Sequence, residues 1–160
     1  MPPLELHIYD VDGTLYRSPT PAIPDPIWWY HAHSFGEPGS TGYDKRWVLD
    51  VVYAARRSIR DPTVAAVVIT GRPEHARMRA MIEGMMDKAD LAFDAVVLQP
   101  IFHVGSMASY KASAVEQLLE QLPTVRRVVF YDDLQSNLKA VGRVVEQRGI
   151  RYDAHLGPGM

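Results

Sequence analysis

Two aspartates follow the first apolar run of the chain, at the point where an extended segment has to end. Asp10 and Asp12 stand two positions apart after the run Leu4–Tyr9, and Gly13 lets the backbone turn away behind them. Because side chains alternate along a strand, the two carboxylates are expected to face the same way. Like charges held this close are unfavourable unless a cation or a proton lies between them. The pattern therefore favours a cation or proton site over a solvated surface turn, which the sequence also allows.

More polar side chains stand at the ends of later apolar runs. Thr70 ends the second run, and Lys111 begins the helix after the third. The fourth run ends in the pair Asp132-Asp133. Carboxylate and water oxygens are the ligands that suit Mg²⁺ in an octahedral site. If these ends meet at one rim, a bound Mg²⁺ would relieve the repulsion between the carboxylates.

The elements that would position these groups alternate between strands and helices along the chain. The predicted strands are Leu4–Tyr9, Val64–Ile69, Phe93–Leu98, Val125–Tyr131 and, at an edge, Ile150–Ala154. The predicted helices are Asp44–Ile59, Pro73–Met86, Lys111–Gln121 and Gln135–Gln147. This order predicts an α/β fold, a doubly wound, Rossmann-like and mainly parallel sheet with helices on both faces. In such a sheet, ligands bind outside the carboxyl ends of the strands, where the polar groups are expected to converge.

The segment between the first strand and the first helix has a different composition. Residues 16–43 are rich in proline and glycine, which excludes a long regular element and predicts a small ordered flap in place of a large cap. The flap contains the cluster Trp28-Trp29-Tyr30, which either stacks a nucleobase or, more simply, anchors its own loop. His31 and His33 follow it, and we do not expect them to bind a metal because no further imidazole or thiolate ligand lies nearby.

Length and composition narrow the class of protein. The 160 residues are expected to form a single domain, 1–160, with a core of its own. The net charge of −2 excludes a general basic surface for nucleic acid, so a polyanion would need a local positive patch or a metal. The absence of cysteine excludes disulfides, thiolate zinc sites and a cysteine nucleophile. Without a membrane-spanning run or a signal peptide pattern, the expected location is the cytoplasm, with no membrane partner.

These motifs resemble, in order and over nearly the whole chain, those of the haloacid dehalogenase-like (HAD) phosphohydrolase superfamily. The four motifs are Asp10-Val11-Asp12-Gly13-Thr14-Leu15, Thr70-Gly71-Arg72, Lys111 and Asp132-Asp133. The sequence looks most like the HAD domain of Swiss Army Knife RNA repair proteins, and more distantly like the 3′-phosphatase domain of polynucleotide kinases. The closer likeness includes Arg17-Ser18-Pro19, Trp28-Trp29 and Tyr131-Asp132-Asp133. One departure is Leu134, where such relatives often carry arginine.

The resemblance implies a role for each motif residue. Asp10 would be the nucleophile that forms an aspartyl-phosphate, and Asp12 would protonate the leaving oxygen and then activate water. Thr70 and Lys111 would hold the phosphoryl oxygens. Mg²⁺ would be bound by Asp10, the Asp12 carbonyl, Asp132 and Asp133. The candidate substrate contacts are Thr14, Arg17, Trp28, Gly71 and Arg72, of which Arg17 is equally a solvated loop charge.

The sequence thus predicts a Mg²⁺-dependent phosphomonoesterase whose partner is a phosphorylated substrate. An RNA or DNA end carrying a 3′-phosphate is the favoured substrate, because a small flap leaves the site open to a macromolecule. A phosphatase for nucleotides or sugar phosphates on the same fold is the first alternative. A non-catalytic phosphate- or nucleic-acid-binding module is the second.

Overall fold

The computed structural model describes residues 2–36 and 44–160, so residues 37–43 of the predicted flap lie outside the described residues. The strands are β1 Glu5–Tyr9, β2 Val64–Pro73, β3 Ala95–Gln99, β4 Arg127–Asp132 and β5 Arg151–Leu156. The α-helices in these two ranges are α1 Leu49–Arg60, α2 Ala76–Lys88, α3 Met107–Gln121 and α4 Gln135–Gln147. Short 3₁₀ helices occur at Trp28–Tyr30, Ala32–Phe35 and Asp44–Arg46.

The strands form one parallel sheet in the order β3-β2-β1-β4-β5. Helices α1 and α2 pack on one face, around core residues that include Tyr9 and Val68. Helices α3 and α4 pack on the other face, around Ile8 and Phe130 among others. Burial on both faces explains why β2 and β4 contain continuous apolar runs, whereas the edge strand β5 is polar and largely exposed. The predicted doubly wound α/β fold is confirmed.

Strand β1 is at the centre of the sheet and sets the position of the polar groups. Tyr9, its last residue, is in register with Val68 of β2 and Tyr131 of β4. The residues that follow these positions therefore emerge side by side at the carboxyl edge. The backbone N–H of Asp10 donates a hydrogen bond to the carbonyl oxygen of Tyr131 at 3.0 Å, which holds Asp10 at this edge.

The turn after β1 requires glycine at position 13. Gly13 has a φ of +76°, a left-handed conformation that residues with a Cβ rarely adopt. A Cβ at this position would also lie 2.3 Å from the Oδ2 atom of Asp133. The glycine therefore allows the turn and lets the Asp133 carboxylate approach the backbone of the first motif.

The first helix begins later than predicted. The expected helix Asp44–Ile59 is divided, because Asp44–Arg46 is a separate 3₁₀ turn and α1 begins only at Leu49. Between them the chain is extended, since Trp47 forms an antiparallel bridge with Tyr16. This bridge closes the base of the insertion.

Two other helix starts also differ from the prediction. Pro73 does not open a helix: it pairs with Gln99 as the last residue of β2, and His75 caps α2 by accepting a hydrogen bond from the Met78 N–H at 3.2 Å. Helix α3 begins one turn before Lys111, because the Ser106 side chain caps it by accepting a hydrogen bond from the Ser109 N–H at 3.0 Å.

The described part of the insertion packs against the face formed by α1 and α2. Phe35 is buried in the core of that face, and its carbonyl oxygen accepts a hydrogen bond from the Tyr16 hydroxyl at 2.7 Å. Trp28 is fixed by its indole N–H, which donates to the Pro19 carbonyl oxygen at 3.1 Å. Elsewhere in the fold, no helix among the described residues is long and apolar enough to cross a membrane.

Candidate active site

Three carboxylates and one ammonium group meet at the carboxyl edge of the sheet. Asp10, Asp132 and Asp133 each offer an oxygen that lies within 4.8 Å of the other two. The Nζ atom of Lys111, a residue only 1% exposed, donates to Asp10 Oδ1 at 2.8 Å and to Asp132 Oδ2 at 2.7 Å. Strands β1 and β4 bring the aspartates together, and the second turn of α3 brings the lysine.

The cluster holds more negative than positive charge in a buried position. Burial raises the pKa of Asp10 well above its usual value; Lys111 opposes this shift and Asp132 adds to it. Burial and the neighbouring Asp132 also raise the pKa of Asp133. Burial alone would lower the pKa of Lys111, but the carboxylates of Asp10 and Asp132 raise it above its usual value. The lysine therefore stays charged and leaves the cluster in need of protons or a further cation.

The residues present fit a Mg²⁺ ion at this cluster. All three side-chain donors are hard oxygens, as Mg²⁺ requires. Neighbouring groups orient them: Thr14 Oγ1 donates to Asp10 Oδ2 at 3.1 Å, and Asn137 Nδ2 donates to both Asp132 oxygens at 3.2 Å. The Asn137 Oδ1 atom is buried without a hydrogen-bond partner among the described residues, so one more oxygen is left for a ligand or an ordered water.

Asp12 lies apart from this cluster and pairs with Arg72. Nε of Arg72 donates to Asp12 Oδ2 at 2.9 Å, and Nη2 donates to Asp12 Oδ1 at 2.6 Å. The Ser18 hydroxyl also donates to Asp12 Oδ1. The carboxylate is therefore held in one orientation by three donors. Coordination of a metal by the Asp12 carbonyl, as opposed to this side chain, remains a prediction.

The surroundings of Arg72 differ from those expected of a phosphate contact. The residue is 2% exposed, and its Nη1 group donates to the Trp29 carbonyl oxygen at 3.3 Å and to the Ser34 hydroxyl. Its guanidinium carbon lies 3.9 Å from the centre of the Phe35 ring and 4.7 Å from that of the Trp29 ring. Arg72 thus holds Asp12 and the insertion together, rather than presenting a free pair of donors to a phosphate.

The second motif lies inside the last part of β2 rather than after it. The pairing of β2 with β3 is irregular between Ile69 and Pro73, and such irregularities redirect side chains at strand ends. Thr70 is fully buried, and its hydroxyl accepts a hydrogen bond from the Arg72 N–H at 3.1 Å. A Cβ on Gly71 would lie 2.2 Å from the sulfur of Met107, so that side chain rests directly on the Gly71 backbone.

Three sequence-predicted contacts do not line the cavity. Arg17 is exposed, and its backbone pairs with Arg46, whose Nη1 donates to the Arg17 carbonyl oxygen at 3.0 Å. Trp28 faces Pro19 instead, and its ring makes an edge contact with His33, 5.9 Å between ring centres. Thr14 is fully buried, and its hydroxyl donates to the Asp10 carboxylate.

A cavity of about 450 Å³ lies at this edge of the sheet. The polar part of its lining includes Asp10, Asp12, Asp133, Arg72 and Lys111. The apolar part includes Trp29, Tyr30, Ile101, Met107 and Leu134. The sequence offered Trp29 and Tyr30 as candidates for stacking a nucleobase and noted Leu134 as the departure from the arginine of similar sequences, but it gave no signal for Ile101 or Met107. His103 and Asn137 also line the cavity.

His31 and His33 belong to the aromatic packing of the insertion. Their rings stack on each other with 4.9 Å between centres, next to Trp28. The metal-capable group found among the described residues is the aspartate cluster, and neither histidine is part of it.

Comparison with known proteins identifies related chains. The model of HAD domain family 1 in Swiss Army Knife RNA repair proteins matches residues 23–153, more than half of the chain. The uncharacterized protein YMR265C of Saccharomyces cerevisiae is 27% identical over an alignment of 163 positions. The alignment covers 81% of this chain and 34% of the yeast protein. This chain therefore spans about a third of that relative.

Solved structures with a similar fold include a chain of the Pnkp1/Rnl/Hen1 complex, with a TM-score of 0.63 and 16% identity, covering 99% of this chain and 48% of that one. The HAD domain of the effector protein Lem4 from Legionella pneumophila has a TM-score of 0.63 and 15% identity, covering 99% of this chain and 88% of that one. At these identities the two structures support the fold alone. The family match shows that the chain belongs to HAD domain family 1 of the Swiss Army Knife RNA repair proteins.

Proposed function

We propose that the protein is a Mg²⁺-dependent phosphomonoesterase that acts through an aspartyl-phosphate on Asp10. The observation that carries this proposal is the arrangement of two carboxylates with different surroundings at one cavity. Asp10 lies beside Lys111 in the acidic cluster, and Asp12 is held by Arg72. In this proposal Asp10 attacks phosphorus, and Asp12 exchanges a proton with the leaving oxygen.

The first half of the reaction transfers the phosphoryl group to the enzyme. A carboxylate oxygen of Asp10 attacks phosphorus and the bond to the leaving oxygen breaks, while that oxygen takes the proton of the Asp12 carboxyl. When bound at Asp10, Asp132 and Asp133, Mg²⁺ would neutralise the repulsion between the nucleophile and a dianionic phosphate. The Lys111 ammonium adds a fixed positive charge at the same place.

The second half returns the enzyme to its first state. The Asp12 carboxylate takes a proton from water, whose oxygen attacks phosphorus, and the bond between phosphorus and Asp10 breaks to release inorganic phosphate. The contacts with Arg72 hold the Asp12 side chain in one orientation for both proton transfers.

The substrate that we propose is a nucleic-acid end with a terminal phosphate, such as a 3′-phosphate. Membership in a family of RNA repair domains supports this choice, as does the aromatic wall beside the catalytic groups. A phosphatase for small metabolites is the competing possibility, because a cavity of about 450 Å³ would also hold a free nucleotide or a sugar phosphate.

A substrate panel tests this proposal. We expect Mg²⁺-dependent phosphate release from 3′-phosphorylated oligonucleotides to exceed release from sugar phosphates and 5′-nucleotides. Asp10→Asn should abolish it, whereas the matched control Asp87→Asn, on the exposed side of α2, should not. Preference for metabolites would favour the competing phosphatase. Absence of release from every substrate, with binding retained, would favour a non-catalytic module.

A further inference from the structure

The cavity has an unusual division between its floor and its walls. The floor carries the charged catalytic groups, whereas the walls carry large apolar side chains that remain open to solvent. Tyr30 is 59% exposed, Ile101 64% and Leu134 49%. Exposed apolar residues gathered around one polar cavity indicate a binding surface rather than a random surface distribution.

The cavity lacks the cations that a nucleic-acid track would need. Among the described lining residues, the lysines and arginines are Arg72 and Lys111. Each is already paired with a carboxylate, Arg72 with Asp12 and Lys111 with Asp10 and Asp132. No positive charge in this lining is left for a second phosphate. A substrate would therefore be held through its reacting phosphate and through an apolar group next to it.

The backbone that carries Trp29 and Tyr30 is held by contacts with Arg72 and His75. The Trp29 carbonyl accepts a hydrogen bond from Arg72, whose guanidinium also lies against the Trp29 ring. The Tyr30 carbonyl is 2.9 Å from the Nε2 atom of His75. Because the 3₁₀ helix that carries both residues is held through its backbone, little conformational entropy remains to be lost on binding.

We propose, building on the function proposed above, that the enzyme recognises only the terminal nucleotide of its substrate, with the base against Trp29 and Tyr30. Its phosphate would lie at Asp10, and the rest of the nucleic acid would remain outside the cavity. A single flat base fits the aromatic and aliphatic wall, and Gln99 and His103 offer polar groups to its edges. Recognition of a single nucleotide would distinguish the protein from end-processing enzymes that bind a polynucleotide along its backbone.

Substrate length and salt dependence test the first part of this inference. We expect kcat/KM for 3′-phosphorylated substrates to differ by less than about threefold between a dinucleotide and a dodecanucleotide. An increase from about 50 to 200 mM salt should lower kcat/KM by no more than roughly threefold, the effect of releasing a single counterion. A rise of tenfold or more with length, or a steep salt dependence, would overturn the inference.

A substitution cycle tests the role of the base. Trp29→Ala should lower kcat/KM by roughly 5- to 150-fold for a base-bearing end, the range for loss of one stacked base. The same substitution should have little effect on an end whose terminal nucleotide is abasic. The neighbouring Trp28→Ala is the matched control, because that indole faces Pro19, and it should retain the discrimination between base-bearing and abasic ends.

Equal losses on both ends in Trp29→Ala would show that Trp29 only supports the fold and would overturn the inference. Tyr30→Ala repeats the test on a side chain that is mostly exposed and whose removal does not threaten folding. A protein that releases phosphate without preferring a terminal base contradicts this inference alone. One that releases none from any of these ends contradicts the proposed phosphatase as well.

Discussion

The role of Arg72 leads to the sharpest prediction about catalysis. Arg72→Lys keeps the positive charge but removes the planar pair of donors that now bind both oxygens of Asp12. It also removes the flat cation that lies between the rings of Phe35 and Trp29. We therefore expect Asp12 to lose its fixed orientation while the acidic cluster around Asp10 stays intact.

The size of the effect follows from the contacts that are lost. One charge-assisted hydrogen bond and part of a desolvated cation–π contact together correspond to about 3 kcal/mol. In a domain of this size the loss should lower Tm by roughly 6–12 °C. A misplacement of Asp12 by about 1 Å should lower kcat by roughly 100-fold. Arg77→Lys, on the exposed side of α2, is the control and should stay within about 0.5 kcal/mol of wild type.

Steady-state kinetics with two leaving groups separate this role from direct phosphate binding. If Arg72 positions the acid, kcat falls and KM changes by less than about threefold. The defect in the first half of the reaction, measured as release of the leaving group in a single turnover, should also shrink on 4-nitrophenyl phosphate, whose leaving oxygen needs no proton. A large rise in KM with an unchanged kcat, or equal losses in this first half on both substrates, would refute the reasoning.

Three further predictions concern the acidic cluster and the turn beside it. Lys111→Met removes the ammonium group between Asp10 and Asp132. In EDTA at neutral pH this variant should be less stable than wild type by about 3–5 kcal/mol. In thermal unfolding, added Mg²⁺ should raise the Tm of the variant more than that of wild type. Because the folded-state pKa values of Asp10 and Asp133 lie above their unfolded values, the metal-free protein should become more stable as pH falls from neutral toward the unfolded-state pKa of aspartate, and saturating Mg²⁺ should reverse this trend. A flat profile in EDTA would contradict it. Gly13→Ala should cost more than about 2 kcal/mol in denaturant unfolding, because it combines a positive φ with a clash against Asp133, and a neutral result would mean that the turn can relax.

The features that the sequence predicted well are those that chain order and apolar runs determine. Asp10 and Asp132 stand directly after central apolar runs, and a parallel sheet must bring such positions to one edge.

The features that the sequence missed depend on contacts between distant side chains. Arg72 and Asp12 are 60 positions apart, and only the folded chain shows that their charges satisfy each other. Trp28 and Trp29 are neighbours of the same type, yet the 3₁₀ turn directs one to Pro19 and the other to the cavity. Helix starts were missed where a polar residue outside the periodic pattern forms the cap, as Ser106 does for α3.

The most direct measurement is to quench the reaction rapidly in acid, in the presence of Mg²⁺ and a 3′-phosphorylated oligonucleotide, and to locate any phosphoryl group on the protein by mass spectrometry. We predict a phosphoryl group on the carboxylate of Asp10 that is absent from Asp10→Asn and depends on Mg²⁺. Phosphate release without any phosphoryl group on Asp10, or release that survives in Asp10→Asn, would contradict the account.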